Sequence, residues 1–248
     1  MPNLFLSPSV QEFNPYVIGG TEEYYMNLVA DAMEPYLTAS GISFERNDPA
    51  QTVGGAIRQS NAGNFDLHLA LHSNAAPPSL SGQLQGTDVY YYATSSAGKR
   101  AADIIADNFK EIYPVPSRVR PVATTTLVEL SRTRAPAVLI EIAYHDNVED
   151  AQWIRDNIGL IARNLSQSVA EYFGVPFREP GEGGISRRGR VNAASGLNIR
   201  NRPSLMAQIL TAAPYGSEVT LTGREGDWYA VRYGDTDGYA VARYITPI

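Results

Sequence analysis

The chain has 248 residues, a formal net charge of −6, 44% hydrophobic residues and 19% charged residues. These values are ordinary for globular proteins and exclude a disordered, collagen-like or coiled-coil chain. There is no cysteine, so disulfides and cysteine-ligated zinc are both excluded. The three histidines are His68, His72 and His145. Any metal site must therefore be built from these residues together with carboxylates, amides and water.

The charge is unevenly distributed along the chain. Residues 1–177 hold 11 Lys and Arg against 19 Asp and Glu, whereas residues 178–248 hold 9 against 7. An acidic body with a weakly basic tail argues against nucleic-acid binding. The first ten residues lack the basic and long apolar segments of a signal peptide, and no stretch approaches the roughly 18 apolar residues of a membrane span. We therefore expect no membrane span, and either a mature chain or one that leaves the cell by another route.

Apolar runs alternate with helical patterns over residues 1–176. Strands are predicted, in chain order, at Leu4–Ser7, Ile42–Glu45, Leu67–Leu71, Asp88–Tyr92 and Ala137–Ile142. Helices are predicted at Glu22–Thr38, Val53–Asn61, Ala97–Ile112 and Glu149–Phe173. This alternation is typical of an α/β fold in which helices cover both faces of a mostly parallel sheet.

The pattern changes towards the carboxyl end of the chain. Residues 177–189 are rich in Pro, Gly and charged residues and have no apolar period, which indicates a linker. Residues 190–248 contain short alternating segments broken by Gly and Asp, which predict about five strands and a small all-β barrel. We therefore expect two domains, at residues 1–176 and 190–248.

Unusual polar residues stand at the carboxyl ends of the predicted strands, where open α/β sheets place their chemistry. Gln11 follows the first strand, His72 ends the third, and Glu141 lies within the apolar sequence AVLIEI. A carboxylate in such a buried setting is costly to ionise without a partner cation, which indicates a functional or metal-linked role for Glu141. His68 and His72 face the same side of one strand, but their Cα atoms are about 13 Å apart. They cannot both bind one ion, so we expect His72 to be the ligand and His68 a structural or surface residue.

Four motifs occur in order within the first 176 residues: E-x-x-x-N at Glu23–Asn27, H-x-N-A at His72–Ala75, G-x-x-V-Y-Y at Gly86–Tyr91 and P-A-V-L-I-E at Pro136–Glu141. Together they resemble the zinc-dependent N-acetylmuramoyl-L-alanine amidases of the Amidase_3 type. The resemblance implies a peptidoglycan hydrolase that cleaves the amide bond between the lactyl group of N-acetylmuramic acid and L-alanine of the stem peptide.

The resemblance also implies a set of site residues. In this family two histidines and a glutamate hold one zinc ion, and a second glutamate activates the attacking water. At the matching positions Glu23 and His72 become zinc ligands, and Glu141 becomes the general base and acid. Zinc with an open position lowers the pKa of bound water and polarises the scissile carbonyl. Taken alone, Glu22 and Glu23 could instead simply complement the positive end of the helix dipole.

The sequence differs from the family at the position of the first zinc-binding histidine. A histidine usually follows the first strand, whereas this chain has Ser-Pro-Ser-Val-Gln there. Gln11 is the nearest replacement by position, while His145, four residues beyond Glu141, is the better ligand by chemistry unless it only anchors its loop. The departure also supports a second hypothesis, a degenerate amidase fold that binds peptidoglycan or a partner protein without cleaving it.

The sequence from residue 190 onwards carries a second group of matching residues, at Leu197–Ser204, Tyr215–Gly216, Trp228–Val231 and Gly238–Ala240. They resemble bacterial SH3 domains, and the resemblance implies binding to cell-wall peptides. Trp228 and Tyr239 are candidate groove aromatics that could equally be core residues. We therefore expect an autolysin-type monomer, extracellular or associated with the cell wall, whose partner is bacterial peptidoglycan.

Overall fold

The structure of the chain is a computed structural model that describes residues 1–180, 187–205, 207–225 and 227–248. The chain forms two compact units. The first comprises Met1–Leu37 and Gly41–Phe177, and the second comprises Thr38–Ser40 and Arg178–Ile248. Across the described residues, no helix is long and apolar enough to cross a membrane.

A mixed six-stranded sheet forms the centre of the first unit. Its strands are β1 (Asn3–Pro8), β2 (Ser43–Arg46), β3 (Leu67–Asn74), β4 (Thr87–Tyr92), β5 (Val119–Thr124) and β6 (Ala137–Tyr144). They are arranged in the order β2-β1-β3-β6-β4-β5, and every neighbouring pair is parallel except β4 and β6. The predicted α/β class with a mostly parallel sheet is therefore confirmed.

The helices of this unit are α1 (Glu22–Ala39), α2 (Val53–Ala62), α3 (Ser96–Phe109), α4 (Val128–Ser131), α5 (Val148–Asp156) and α6 (Ile158–Phe173). The prediction of one helix over Glu149–Phe173 is wrong, because the backbone leaves helical geometry at Asn157, with φ −124° and ψ 22°. The sequence pattern does not predict β5 or α4. The former is an edge strand with mostly exposed side chains, and the latter is a single turn.

The two faces of the sheet differ in composition, because side chains alternate between the faces along each strand. One face carries large apolar residues that pack against α1, α3 and α6 in the main core, among them Leu4, Leu6, Leu69, Leu71, Val138 and Ile140. The strand register places a more polar set on the opposite face, namely Ser7, His68, Ala70, His72, Leu139 and Glu141. The chemistry-bearing residues of β3 and β6 therefore share one face.

The second unit is all β. Its strands are β7 (Arg187–Val191), β8 (Leu197–Arg200), β9 (Ile209–Ala213), β10 (Glu218–Glu225), β11 (Trp228–Tyr233), β12 (Thr236–Val241) and β13 (Ile245–Pro247). They form one antiparallel sheet in the order β13-β7-β10-β11-β12-β8-β9. Its core is small and apolar, and includes Val191, Ile199, Leu221, Val231, Ala240 and Ile245.

The described strands of this unit exceed the five that the sequence pattern predicts. Both β7, with the sequence RRGRV, and the three-residue β13 lack apolar alternation. They are defined by strand pairing, β7 with β10 and β13, and β13 with β7. Because β7 begins at Arg187, the last residues of the predicted linker 177–189 belong to a strand. At its other end, Phe177 stacks on Tyr36 with ring centroids 5.8 Å apart. Linker residues 181–186 lie outside the described residues.

Candidate active site

His72 and Glu141 lie side by side on the parallel strands β3 and β6. Neighbouring strands are about 4.8 Å apart, and residues in register point to the same side of the sheet. The His72 side chain is buried, and the Oε2 atom of Glu141 is buried without a hydrogen-bond partner among the described residues. The structure therefore brings together two of the residues that the sequence analysis selects.

Glu22, the first residue of α1, is the third charged group of this site. Its Oε1 atom lies 2.8 Å from Nδ1 of His72, and its Oε2 atom accepts a hydrogen bond of 2.7 Å from Nδ2 of Asn14. Gly19 and Gly20, both with positive φ, turn the loop that leads into the helix. The Glu22 side chain is only 2% exposed, and it is held against the histidine.

Glu23, the glutamate that the family motif selects, has a different neighbour. Its Oε1 atom accepts a hydrogen bond of 3.2 Å from Nδ2 of Asn27, one turn further along α1. Successive helical residues are rotated by about 100°, so Glu22 and Glu23 cannot both face the sheet. The signal that identifies Glu22 is the helical period of the buried face of α1, which continues through Met26, Val29, Met33 and Leu37.

Gln11 lies next to both Glu22 and His72. Its Nε2 atom is 3.3 Å from Nδ1 of His72 and 3.5 Å from Oε1 of Glu22. Ligand atoms around a tetrahedral zinc ion, with bonds of about 2.0–2.1 Å, would be roughly 3.3 Å apart. The 3.3 Å between the Gln11 amide and His72 is a hydrogen-bond distance, and it is also compatible with a third ligand at this position. Rotating this amide by 180° would turn its oxygen towards the other two groups, and would break the 3.1 Å hydrogen bond that Oε1 now accepts from Nδ2 of Asn14.

His145, the other candidate third ligand, has contacts that anchor its loop. Its Nδ1 atom lies 3.0 Å from Oγ and 2.9 Å from the carbonyl oxygen of Ser73. The ring stacks on Tyr16 with centroids 5.2 Å apart, and the backbone N–H of His145 donates to the carbonyl of Asn74. Of the two alternatives, the structure brings Gln11 and not His145 into hydrogen-bond distance of His72.

Glu129 on α4 is a buried site residue that the sequence reasoning missed. Its Oε2 atom lies 3.4 Å from Nε2 of His72, and its Oε1 atom lies 2.9 Å from Nε2 of His68 and accepts a 2.6 Å hydrogen bond from Ser7. His68 is fully buried, with Nδ1 3.0 Å from Oγ of Ser60, so it is not a surface residue. No apolar period marks a carboxylate on a helix of one turn, so its burial leaves no signal in the sequence.

The pKa values of the two carboxylates beside His72 are shifted in opposite directions. Burial raises the pKa of Glu141 to about 7, against the opposing effect of His72 and with the help of Glu22. For Glu22, burial opposes ionisation, but the hydrogen bond to His72, the charge of His72 and the hydrogen bonds to Asn14 and Ser9 together outweigh it and lower the pKa. Burial alone would lower the pKa of His72, yet its hydrogen bonds to Glu129 and Glu22 raise that pKa well above its ordinary value. Glu22 is therefore ionised, whereas Glu141 can exchange a proton near neutral pH.

The fit of a metal ion depends on the donor set around His72. Within the described part of the chain, no group of three or more His, Cys, Asp and Glu side chains could hold an ion. Glu22 and His72 are two side chains of these types in contact with each other, and their third neighbour is the Gln11 amide. Carboxylate oxygen and imidazole nitrogen are usual zinc ligands, and an amide oxygen is a weaker one. The donors therefore fit a divalent ion such as zinc, with two strong ligands and one weak one.

Comparison with known proteins identifies the family of the first unit. A family model described as N-acetylmuramoyl-L-alanine amidase (Amidase_3) matches residues 15–171. The chain belongs to this family. Over 162 residues it is 27% identical to the N-acetylmuramoyl-L-alanine amidase LytC of Bacillus subtilis (strain 168), a match that covers 62% of this chain and 32% of LytC. The chain thus spans about a third of the length of this curated relative.

Solved structures with the same fold include members of the amidase family. The N-acetylmuramoyl-L-alanine amidase AmiC2 of Nostoc punctiforme has a TM-score of 0.62 and 16% identity, and the match covers 70% of this chain and 97% of AmiC2. The catalytic domain of the amidase CwlV from Bacillus (Paenibacillus) polymyxa var. colistinus has a TM-score of 0.58 and 15% identity, with coverages of 71% and 100%. At these identities the likeness shows the fold alone.

The second unit also matches a family. A model described as bacterial SH3 domain matches residues 195–246, which confirms the predicted resemblance. Trp228 and Tyr239 are partly exposed, and the register of β11 with β12 pairs Ala230 with Tyr239, so both aromatics share one face. The core residues Val231 and Ala240 alternate with them and lie on the other face. This placement favours a surface position for both aromatics, and their binding role stays a prediction.

Proposed function

We propose that this member of the amidase family hydrolyses the amide bond between the lactyl group of N-acetylmuramic acid and L-alanine in peptidoglycan. One observation carries the proposal: Glu22 and His72 adjoin each other, and Glu141 lies in register beside His72. The amidase names of LytC, AmiC2 and CwlV agree with this assignment. A non-catalytic wall-binding protein would have little reason to keep the buried, unpartnered carboxylate oxygen of Glu141.

In this proposal His72 and Glu22 hold one zinc ion, with the amide oxygen of Gln11 as the weak third ligand. When bound, zinc supplies a Lewis acid that polarises the scissile carbonyl and acidifies a water molecule. Two strong ligands instead of three imply a lower zinc affinity than a site with a second histidine has.

Glu141 moves the proton in the proposed reaction. Its carboxylate accepts a proton from the attacking water while the water oxygen bonds to the lactyl carbonyl carbon. The same group then donates that proton to the departing nitrogen of L-alanine, so the C–N bond breaks and a carboxylate and an amine are released. In the metal-free chain, burial raises the pKa of Glu141 to about 7, and this upward shift favours both steps, because general acid–base catalysis is most effective when the pKa lies near the working pH.

The SH3-like unit has a separate role in this proposal, as a wall-binding module. Tethering it to the amidase unit raises the local concentration of substrate without adding contacts to the reacting atoms. This role agrees with an extracellular or wall-associated location and with peptidoglycan as the partner.

Metal-dependent assays on the purified chain test the proposal. Bound metal is measured by elemental analysis, and release of stem peptides from purified peptidoglycan is measured before chelation, after chelation and after zinc is restored. We expect hydrolysis that is lost with chelator and returns with zinc, and that is absent from Glu141→Gln. Hydrolysis indifferent to chelator would overturn the zinc assignment. Wall binding without hydrolysis in zinc-supplied protein would support the degenerate, non-catalytic fold instead.

A further inference from the structure

The imidazole of His72 lies between two carboxylates, one at each ring nitrogen. Nδ1 faces Glu22 at 2.8 Å and Gln11 at 3.3 Å, whereas Nε2 faces Glu129 at 3.4 Å. One side of the ring thus points to the proposed ligand set, and the other points to a carboxylate that has no place in the proposed reaction.

We propose that Glu129 is a positioning residue that fixes the orientation and tautomer of His72, so that Nδ1 is the nitrogen that binds zinc. This inference rests on the proposed function. A neutral imidazole carries one N–H, and an ionised carboxylate can only accept a hydrogen bond. In the zinc-bound state, where the ring is neutral, the contact between Glu129 and Nε2 keeps the proton on Nε2, and zinc takes the place of the proton that Nδ1 shares with Glu22 in the metal-free chain.

The anchoring of Glu129 suits it to this role. Its side chain is only 4% exposed, and Oε1 is fixed by the Ser7 hydroxyl at 2.6 Å and by Nε2 of His68 at 2.9 Å. Ser60, 3.0 Å from Nδ1 of His68, extends this chain of contacts to α2. The other oxygen, Oε2, is the one directed at His72. A carboxylate held from β1, β3 and α2 has little freedom to turn away from the ring.

The chemical benefit is a stronger imidazole ligand. When a carboxylate accepts the second ring N–H of a metal-bound histidine, it orients the ring and raises the basicity of the ligating nitrogen, and removing such a partner costs about 10–100-fold in metal affinity. Here the gain matters more than usual, because the third ligand is an amide and not a second imidazole. Glu129 therefore partly compensates for the weak donor Gln11.

The nitrogen-15 NMR signals of the His72 ring test the inference directly in the wild-type chain. We expect the zinc-loaded protein to show a protonated Nε2 and a metal-bound Nδ1. The reverse pattern, with zinc on Nε2, would overturn the positioning role and leave the proposed hydrolysis untouched. A wild-type protein that binds no zinc would instead overturn the proposed metal site, and the inference with it.

Zinc affinity, measured by competition with a chromophoric chelator, gives a second test that does not need activity. We expect Glu129→Gln to lower the affinity about 10–100-fold and Glu129→Asp, which keeps the charge, to restore part of the loss. Ser7→Ala provides a milder variant if Glu129→Gln does not fold, with an expected loss of a few fold. Affinity equal to wild type in the folded Glu129→Gln or Ser7→Ala protein would overturn the inference.

The matched control is Asp150→Asn, another buried carboxylate with three hydrogen bonds, from Tyr113, Tyr144 and Gly86. This substitution should lower the midpoint of thermal unfolding while leaving zinc affinity within about 2-fold of wild type. An equal loss of zinc affinity in Asp150→Asn and Glu129→Gln would mean that general destabilisation, and not positioning of His72, causes the effect.

Discussion

The Oε1 atom of Glu22 lies 2.8 Å from Nδ1 of His72, and this contact joins the first turn of α1 to the end of β3. Glu23, the next residue, bonds instead to Asn27 on its own helix. Glu22 and Glu23 carry the same charge and are adjacent in the chain, but only Glu22 points towards His72. Substituting each in turn therefore tests which glutamate binds the metal.

Glu22→Gln should lower zinc affinity by about 100-fold or more, because it removes a charged ligand and leaves Asn14 with an amide neighbour. Glu23→Gln should change the affinity by less than about 3-fold, since its carboxylate is hydrogen-bonded to Asn27 on its own helix. Competition with a chelator measures both. The opposite ranking would return the ligand role to the glutamate that the family motif selects.

Gln11→His should raise zinc affinity about 10-fold or more, because an imidazole nitrogen is a better zinc ligand than an amide oxygen. The Nε2 atom of Gln11 already lies 3.3 Å from Nδ1 of His72, so a side chain at this position reaches the site. His145→Ala should leave zinc affinity unchanged and lower the unfolding midpoint, because it removes the stacking on Tyr16 and the bonds to Ser73. A strong loss of zinc in His145→Ala, with no gain in Gln11→His, would identify His145 as the third ligand.

The raised pKa of Glu141 predicts a pH dependence of stability in the chelated, metal-free protein. Between the ordinary value of 4.5 and about 7, the folded chain holds a proton on Glu141 that the unfolded chain has lost. Rising pH therefore lowers the stability of wild type across this window, by roughly 3 kcal/mol relative to Glu141→Gln, and has no further effect above it. Urea unfolding at pH 5, 6, 7 and 8 measures the difference. A constant difference would mean that Glu141 titrates normally.

A chain that ends at Pro180 should still unfold cooperatively and hydrolyse soluble muropeptides, because the first unit has its own core. It should no longer sediment with purified cell walls. The double variant Trp228→Ala, Tyr239→Ala of the full chain should show the same loss of sedimentation if those aromatics bind the wall. Full sedimentation of the shortened chain would remove the wall-binding role from the SH3-like unit.

Much of the fold follows from patterns that are local in the sequence. The alternation of apolar runs and helical periods predicts β1, β3, β6 and α1, because each buries a large apolar face. The break at Asn157 and the edge strand β5 leave no such pattern, since neither changes the apolar period of its neighbours.

A site residue can be predicted from the sequence where it differs in polarity from its neighbours in the chain. Glu141 stands out as a charge within an apolar strand, and His72 as a strand-end histidine. Glu129 does not stand out, because its burial depends on Ser7 and His68, 122 and 61 residues away in the sequence. Which of the two glutamates faces His72 depends on the rotation of α1 about its axis. The E-x-x-x-N motif selects Glu23 and does not determine this rotation.

Hydrolysis of peptidoglycan in water enriched with oxygen-18, followed by mass spectrometry of the products, tests the central claim most directly. The account predicts one labelled oxygen in the lactyl carboxylate of muramic acid and an unlabelled stem peptide with a free L-alanine amine. Label in a sugar reducing end or inside the stem peptide would show cleavage of a different bond. Absence of any product from zinc-loaded protein would contradict the account altogether.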